Sequence, residues 1–137
     1  MGLRTKSREF AMQMLFQWDM SKQEERKLEV RFWKDAKAAE KTRLFANQLF
    51  EGASRSSVEL DELISKFAVN WRLERIAAID RAVLRLALYE LRGSETPHKV
   101  IINEAVDLAK KFSSEESGSF VNGILDAYHK SLATKES

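Results

Sequence analysis

The chain has 137 residues, no cysteine, 44% hydrophobic residues and a formal net charge of +2. Such a length suits one compact domain, and the missing cysteines exclude disulfides, zinc–thiolate centres and thiol nucleophiles. The near-balanced charge means that any affinity for nucleic acid must come from a local patch rather than from the whole surface.

Almost every segment reads as helix, with one proline, Pro97, and five glycines as breakers. The first helix is expected at about Thr5–Met20. Ala11, Met14, Leu15 and Trp18 recur at helical spacing and form one apolar stripe. Met12, Phe16 and Met20 form a second stripe on the opposite side, so this helix is either covered twice or keeps an apolar patch for a partner. A weaker helix follows at about Glu24–Lys34, carried by Leu28 and Phe32. One long helix is expected over Ala38–Val69, with Phe45, Leu49, Ala53, Leu60, Leu63, Ile64 and Phe67 on one face. Gly52 shares that face, where a glycine suits close approach of another helix.

NWRLERIA, residues 70–77, reads as a turn and as the boundary between an N-terminal half (1–70) and a C-terminal half (71–137). The next helix, about Ile76–Arg92, is apolar on two stripes and should be central. Its wet edge is expected at Arg81, Arg85 and Arg92, with Gly93 as its C-cap. Pro97 sets up a helix over His98–Phe112. SSEESGS, residues 113–119, reads as a polar loop with caps. A last helix is expected over Phe120–Leu132, with a frayed ATKES tail. The expected fold class is therefore all-α, two small helical subdomains packed into one domain of about seven helices.

Sites of chemistry are scarce. No phosphate-binding glycine loop, nucleophile elbow or metal-ligand spacing is present, and His98 and His129 stand alone in sequence. No catalytic residue, metal or cofactor is expected, and the enzyme reading is weak. Two acids fall at core angles: Glu90, which suits a structural ion pair, and Asp80, which suits either an ion pair or a partner contact. Arg4, Lys6 and Arg8 crowd the start of the first helix, where the helix dipole disfavours cations. They form either a solvated basic end or a grip for phosphate. No apolar run of ~20 residues is present, so no membrane span is expected. No apolar stretch of signal-peptide type follows the basic start, and a reducing cytoplasm fits the composition.

Three runs carry a resemblance: REFAMQMLFQWDMS at 8–21, IDRAVLRLALYEL at 79–91, and KVIINEAVDLAKKFSSEESGSFVNGILD at 99–126. Together they resemble the NusB family of bacterial transcription antitermination factors. The likeness spans essentially the whole chain and is least distinctive over 22–65. It implies two packed helical subdomains, no catalysis, and binding of the boxA element of ribosomal-RNA transcripts as single-stranded RNA. It also implies action with NusE, a small-subunit ribosomal protein, in a complex with RNA polymerase that suppresses premature termination. Some members dimerise, so a homodimer is a further expectation. On this sequence the resemblance places RNA contacts at Arg4, Lys6, Arg8, Phe112, Glu116, Ser119, Phe120 and Asn122. It places the NusE-facing surface at Phe16, Glu74 and Asp80, with Phe16 standing where a tyrosine is familiar. NusB-like domains also occur fused to ribosomal-RNA methyltransferases. With no cofactor loop before Ser137, the stand-alone form is expected.

Overall fold

A computed structural model describes residues 2–136, with side chains described to residue 133. Among these residues the chain forms seven α-helices and no strand: α1 Leu3–Ser21, α2 Glu25–Asp35, α3 Glu40–Arg55, α4 Ser57–Phe67, α5 Ala78–Gly93, α6 His98–Phe112 and α7 Glu115–Glu136. A single 3-10 turn at Leu73–Arg75 precedes α5.

The all-α expectation holds, and α5 is central. It packs against α1, α3, α4, α6 and α7, while α6 and α7 form an antiparallel pair. Leu84 and Leu88 of α5, with Ala11, Met14 and Leu15 of α1, are fully shielded from solvent. Each such large apolar side chain contributes roughly 1.5–3 kcal/mol by leaving water. The two stripes of α1 have different fates. The Ala11/Met14/Leu15 stripe lies in the core. The other fades outward from buried Met12 through half-buried Phe16 to exposed Met20.

Four expectations are corrected. The helix expected over 38–69 is two helices, broken at Ser56 (φ −97°, ψ 10°). The SSEESGS loop is mostly the first turn of α7, because Ser114 Oγ accepts the Ser117 N–H at 3.1 Å and caps that helix. Gly93 is the last residue of α5 and no glycine has a positive φ; extended Ser94 closes the helix by donating its N–H to Glu90 O at 2.9 Å. Finally, Arg81 and Arg85 are not a wet edge. Arg85 pairs with Asp61 of α4 (2.7 Å) and Asp19 of α1 (3.2 Å), and Arg81 also holds Asp19 (2.9 Å).

Gly52 behaves as the sequence suggests: a Cβ there would overlap the ring of Tyr89 on α5. The helix of α7 continues through Glu136, and Ser137, the end of the tail expected to fray, lies outside the described residues.

Candidate nucleic-acid interface

The basic start of α1 is divided by the fold. Arg8 points inward and is only 3% exposed. Its guanidinium grips both carboxylate oxygens of Glu90 (2.7 and 2.9 Å) and donates to Glu104 (2.9 Å), which also accepts the Thr5 hydroxyl. Burial opposes the charge on Arg8, but Glu90 and Glu104 more than offset it and hold its pKa above the ordinary value. The ion pair expected for Glu90 is therefore present, and its partner is a residue expected at the RNA. Enclosed in this way, Arg8 is withdrawn from the surface grip.

Arg4 and Lys6 remain accessible. Arg4 lies over the Phe45 ring at 4.8 Å, and Lys6 lies over Phe10 at 5.1 Å. Lys6 also holds Glu9 at 3.0 Å, and Lys111 from the end of α6 holds the same carboxylate at 2.7 Å. Burial works against the Glu9 carboxylate, but Lys111 and Lys6 together pull its pKa below the ordinary value. Two cations on one acid leave a positive surplus, and Lys111 also lies over Phe112 at 5.5 Å. The result is a small patch, Lys6 and Lys111 beside the half-buried Phe112 ring, with Arg4 over Phe45 on the side of α1 that faces α3; a cation beside an accessible aromatic ring is the pairing used to hold single-stranded nucleic acid. Lys111 was missed in the sequence. Its signal was the cation–aromatic pair KKF ending a helix.

Two depressions flank α5. One, of about 510 Å³, is lined by Met12, Gln13, Phe16 and Gln17 of α1, Phe32 and Asp35 of α2, Ile79 and Phe112. It brings Phe112 beside Phe16 rather than beside Phe120. The other, of about 340 Å³, joins Trp71, Arg75, Ile76, Asp80, Ser114, Glu116, Ser117 and Phe120. Asp80 is buried there and accepts a hydrogen bond from Ser117 Oγ at 3.2 Å. Burial pushes its carboxyl up, with only the Ser117 hydroxyl opposing. Asp80 thus shares a pocket with Glu116 and Phe120, and Phe16 lies in the other depression. Glu74 is exposed on the 3-10 turn, and Ser119 and Asn122 are exposed on α7.

His98 and His129 stack at 3.7 Å across the α6–α7 pair, a contact their sequence separation hid. Among the described residues no cluster of ligands suits a metal ion, and no helix is long and apolar enough to cross a membrane.

Fold and surface together define an all-helical domain with a cation–aromatic patch and two grooves on either side of a buried central helix. Comparison with known proteins makes the class specific. The NusB family profile matches residues 5–130. The chain is 49% identical over 133 residues to the transcription antitermination protein NusB of Koribacter versatilis, covering 96% of this chain and 91% of that protein. Its fold matches NusB of T. maritima with a TM-score of 0.83 at 35% identity, covering 93% of this chain and 90% of that one. It also matches a chain in the crystal structure of the antitermination factors NusB and NusE in complex with double-stranded RNA (TM-score 0.82, 29% identity, 96% and 98% covered). The chain belongs to the NusB family.

Proposed function

We propose that this chain is an RNA-binding transcription antitermination factor. It holds the boxA element of ribosomal-RNA transcripts as single-stranded RNA, acts with NusE, and suppresses premature termination by RNA polymerase in the cytoplasm. Its role is binding, not catalysis. The observation that carries this reading is the accessible pair Lys6 and Lys111, joined through Glu9 with Lys111 over Phe112, on a chain whose relatives are antitermination factors. The Phe16 groove next to that patch is the surface for NusE; a related fold is seen with NusE and RNA together. The same half-open groove also suits a second copy of this chain. Light scattering with and without NusE separates the two, since a shared surface makes a dimer dissociate as NusE binds.

The test is fluorescence anisotropy of a labelled boxA RNA and a scrambled control, with and without NusE. Preference for boxA that strengthens with NusE supports the reading, whereas equal and NusE-independent binding overturns it. Changing Lys6 and Lys111 to alanine should lower the log–log salt slope by about 1.4, since each lost single-strand phosphate contact removes ~0.7. An unchanged slope removes both residues from the grip.

A further inference from the structure

We propose that the seam between α2 and α3 is a docking groove for a partner protein, taking an arginine side chain between Glu29 and Glu51 and an apolar neighbour of that arginine on Val30 and Leu44. The wall it borrows from α1 is Trp18, on the far side of that helix from Phe16. The groove is therefore separate from the surfaces described above and stands independently of the RNA reading.

Two depressions, of about 310 and 390 Å³, meet along this seam and share Arg26, Glu29 and Glu51. Glu29 is 5% exposed, yet its Oε2 has no hydrogen-bond partner among the described residues. Glu25 Oε2, on the wall of the first depression, is also buried and also lacks one. The fold's own cations leave these oxygens open. Arg55 stays 3.8 Å from both Glu25 and Glu51, beyond hydrogen-bond reach, and its side chain is 70% exposed. Arg26 is exposed on the rim. With Glu24, four carboxylates face two guanidiniums, so the first depression is acidic. A buried carboxylate demands a partner. A proton shared with Glu51 is one remedy, and a cation supplied from outside is the other.

The shape of the site selects the cation. Among the described residues no cluster of ligands suits a metal ion. A guanidinium has a planar fork that bridges carboxylates and a face that stacks on an indole, and the half-buried Trp18 ring lines the same depression. The second depression supplies the apolar half. Val30 of α2 and Leu44 of α3 line it and are 54% and 55% exposed. Beside them Trp33 is held in place by donating its indole N–H to Asn47 Oδ1 at 2.8 Å. An acid slot next to an apolar shelf matches an arginine and its neighbour in a polypeptide, the residue types that anchor protein interfaces. A nucleic-acid strand would meet repulsion from the same carboxylates.

The experiment follows the valine and leucine methyl groups of the full chain by NMR during titration with acetyl-arginyl-leucine methylamide. The comparison probes carry citrulline or lysine in place of arginine, or lack the leucine. At pH 8.5 the arginyl-leucine probe should shift the Val30 and Leu44 methyls saturably. It should bind about tenfold tighter than the citrulline probe, which keeps the shape without the charge, and also tighter than the lysine probe. Affinity should fall by about tenfold or more at pH 6.5, since burial first and Glu51 second push the Glu29 carboxyl up to about 8 and the guanidinium must displace that proton. The other charged groups facing Glu29 are Glu24, Glu25 and Arg26 on α2 and Arg55 on α3, while α1 offers only Trp18. Glu29→Gln keeps the shape and should bind the arginine probe weakly at both pH values. Leu44→Ser, at an exposed position, should remove the advantage of the leucine and keep the preference for arginine. Equal binding of the arginine and citrulline probes overturns the proposal, as does wild-type affinity in Glu29→Gln or the absence of saturable shifts at Val30 and Leu44. No RNA enters the titration, so either result leaves the RNA reading where it stands.

Discussion

Arg8 shows how much one side chain can be misread from its neighbours. It stands in a basic run, yet it neutralises two carboxylates in the interior. Removing the cation leaves Glu90 and Glu104 facing each other without compensation, which for a buried pair costs about 3–5 kcal/mol. Arg8→Ala should therefore lower the urea midpoint sharply, whereas Arg4→Ala, at an exposed position, should change stability by no more than about 0.5 kcal/mol. Arg8→Lys should restore only part of the loss, because a lysine cannot reproduce the two-pronged contact with Glu90. A mild effect of Arg8→Ala would show that Arg8 is free to serve RNA after all. Half of this arrangement was legible in the sequence. Glu90 falls at the angle of core residues, so an acid there demands a partner. The partner's identity was not legible, since Arg8 and Glu90 are 82 positions apart and no period links α1 to α5.

At the scale of elements, periodicity located helices well and their ends poorly. The apolar stripe of α3 and α4 runs in phase through Ala53 and Leu60, so the pattern carried no sign of the break at Ser56. The only local hint was the serine cluster at Ser54, Ser56 and Ser57. A second hidden feature is the join between α2 and α3. Glu29 is buried, its Oε2 lacks a partner, and it faces Glu51. Burial first, and Glu51 second, push its carboxyl from an ordinary value of 4.5 up to about 8, with Arg26 opposing and Glu25 adding to the rise. Below that pH the folded protein keeps a proton that the unfolded chain gives up above 4.5. Stability should then fall as pH rises between these two values and level off above them. Glu29→Gln removes the titration and keeps the shape. It should stabilise the protein by about 2–4 kcal/mol at pH 8.5 and change little at pH 5, given ~1.4 kcal/mol per shifted pKa unit. Urea melts of both proteins at the two pH values check this. Equal gains at both would mean that the Glu29 carboxyl titrates normally.

Across the whole molecule, the division near residue 70 that the turn suggests is crossed by charge as well as by core. Arg8 ties α1 to α5 and α6, Lys111 ties α6 back to Glu9, and Arg81 and Arg85 tie α5 to Asp19 and Asp61. Asp19 is held well enough that Arg85 and Arg81 overcome the cost of burial and keep its pKa below the ordinary value. Separating the halves would leave these charges without partners and would also uncover α5, whose apolar side chains need α1 and α3 on one side and α6 and α7 on the other. Neither half keeps a closed core alone, so the two should unfold together as one cooperative unit. In a Trp71→Phe background, Trp18 and Trp33 report on the N-terminal half, and far-UV circular dichroism reports on all seven helices. Urea transitions followed by tryptophan fluorescence and by circular dichroism should therefore share one midpoint. A fragment of residues 71–137 should lack the cooperative transition. Separate midpoints, or a fragment that melts cooperatively, would show that the pairs across the seam are decoration on two independent halves. In that case the groove at Phe16 and the pocket at Asp80, which α5 holds in fixed relation, would be able to move against each other when RNA or NusE binds.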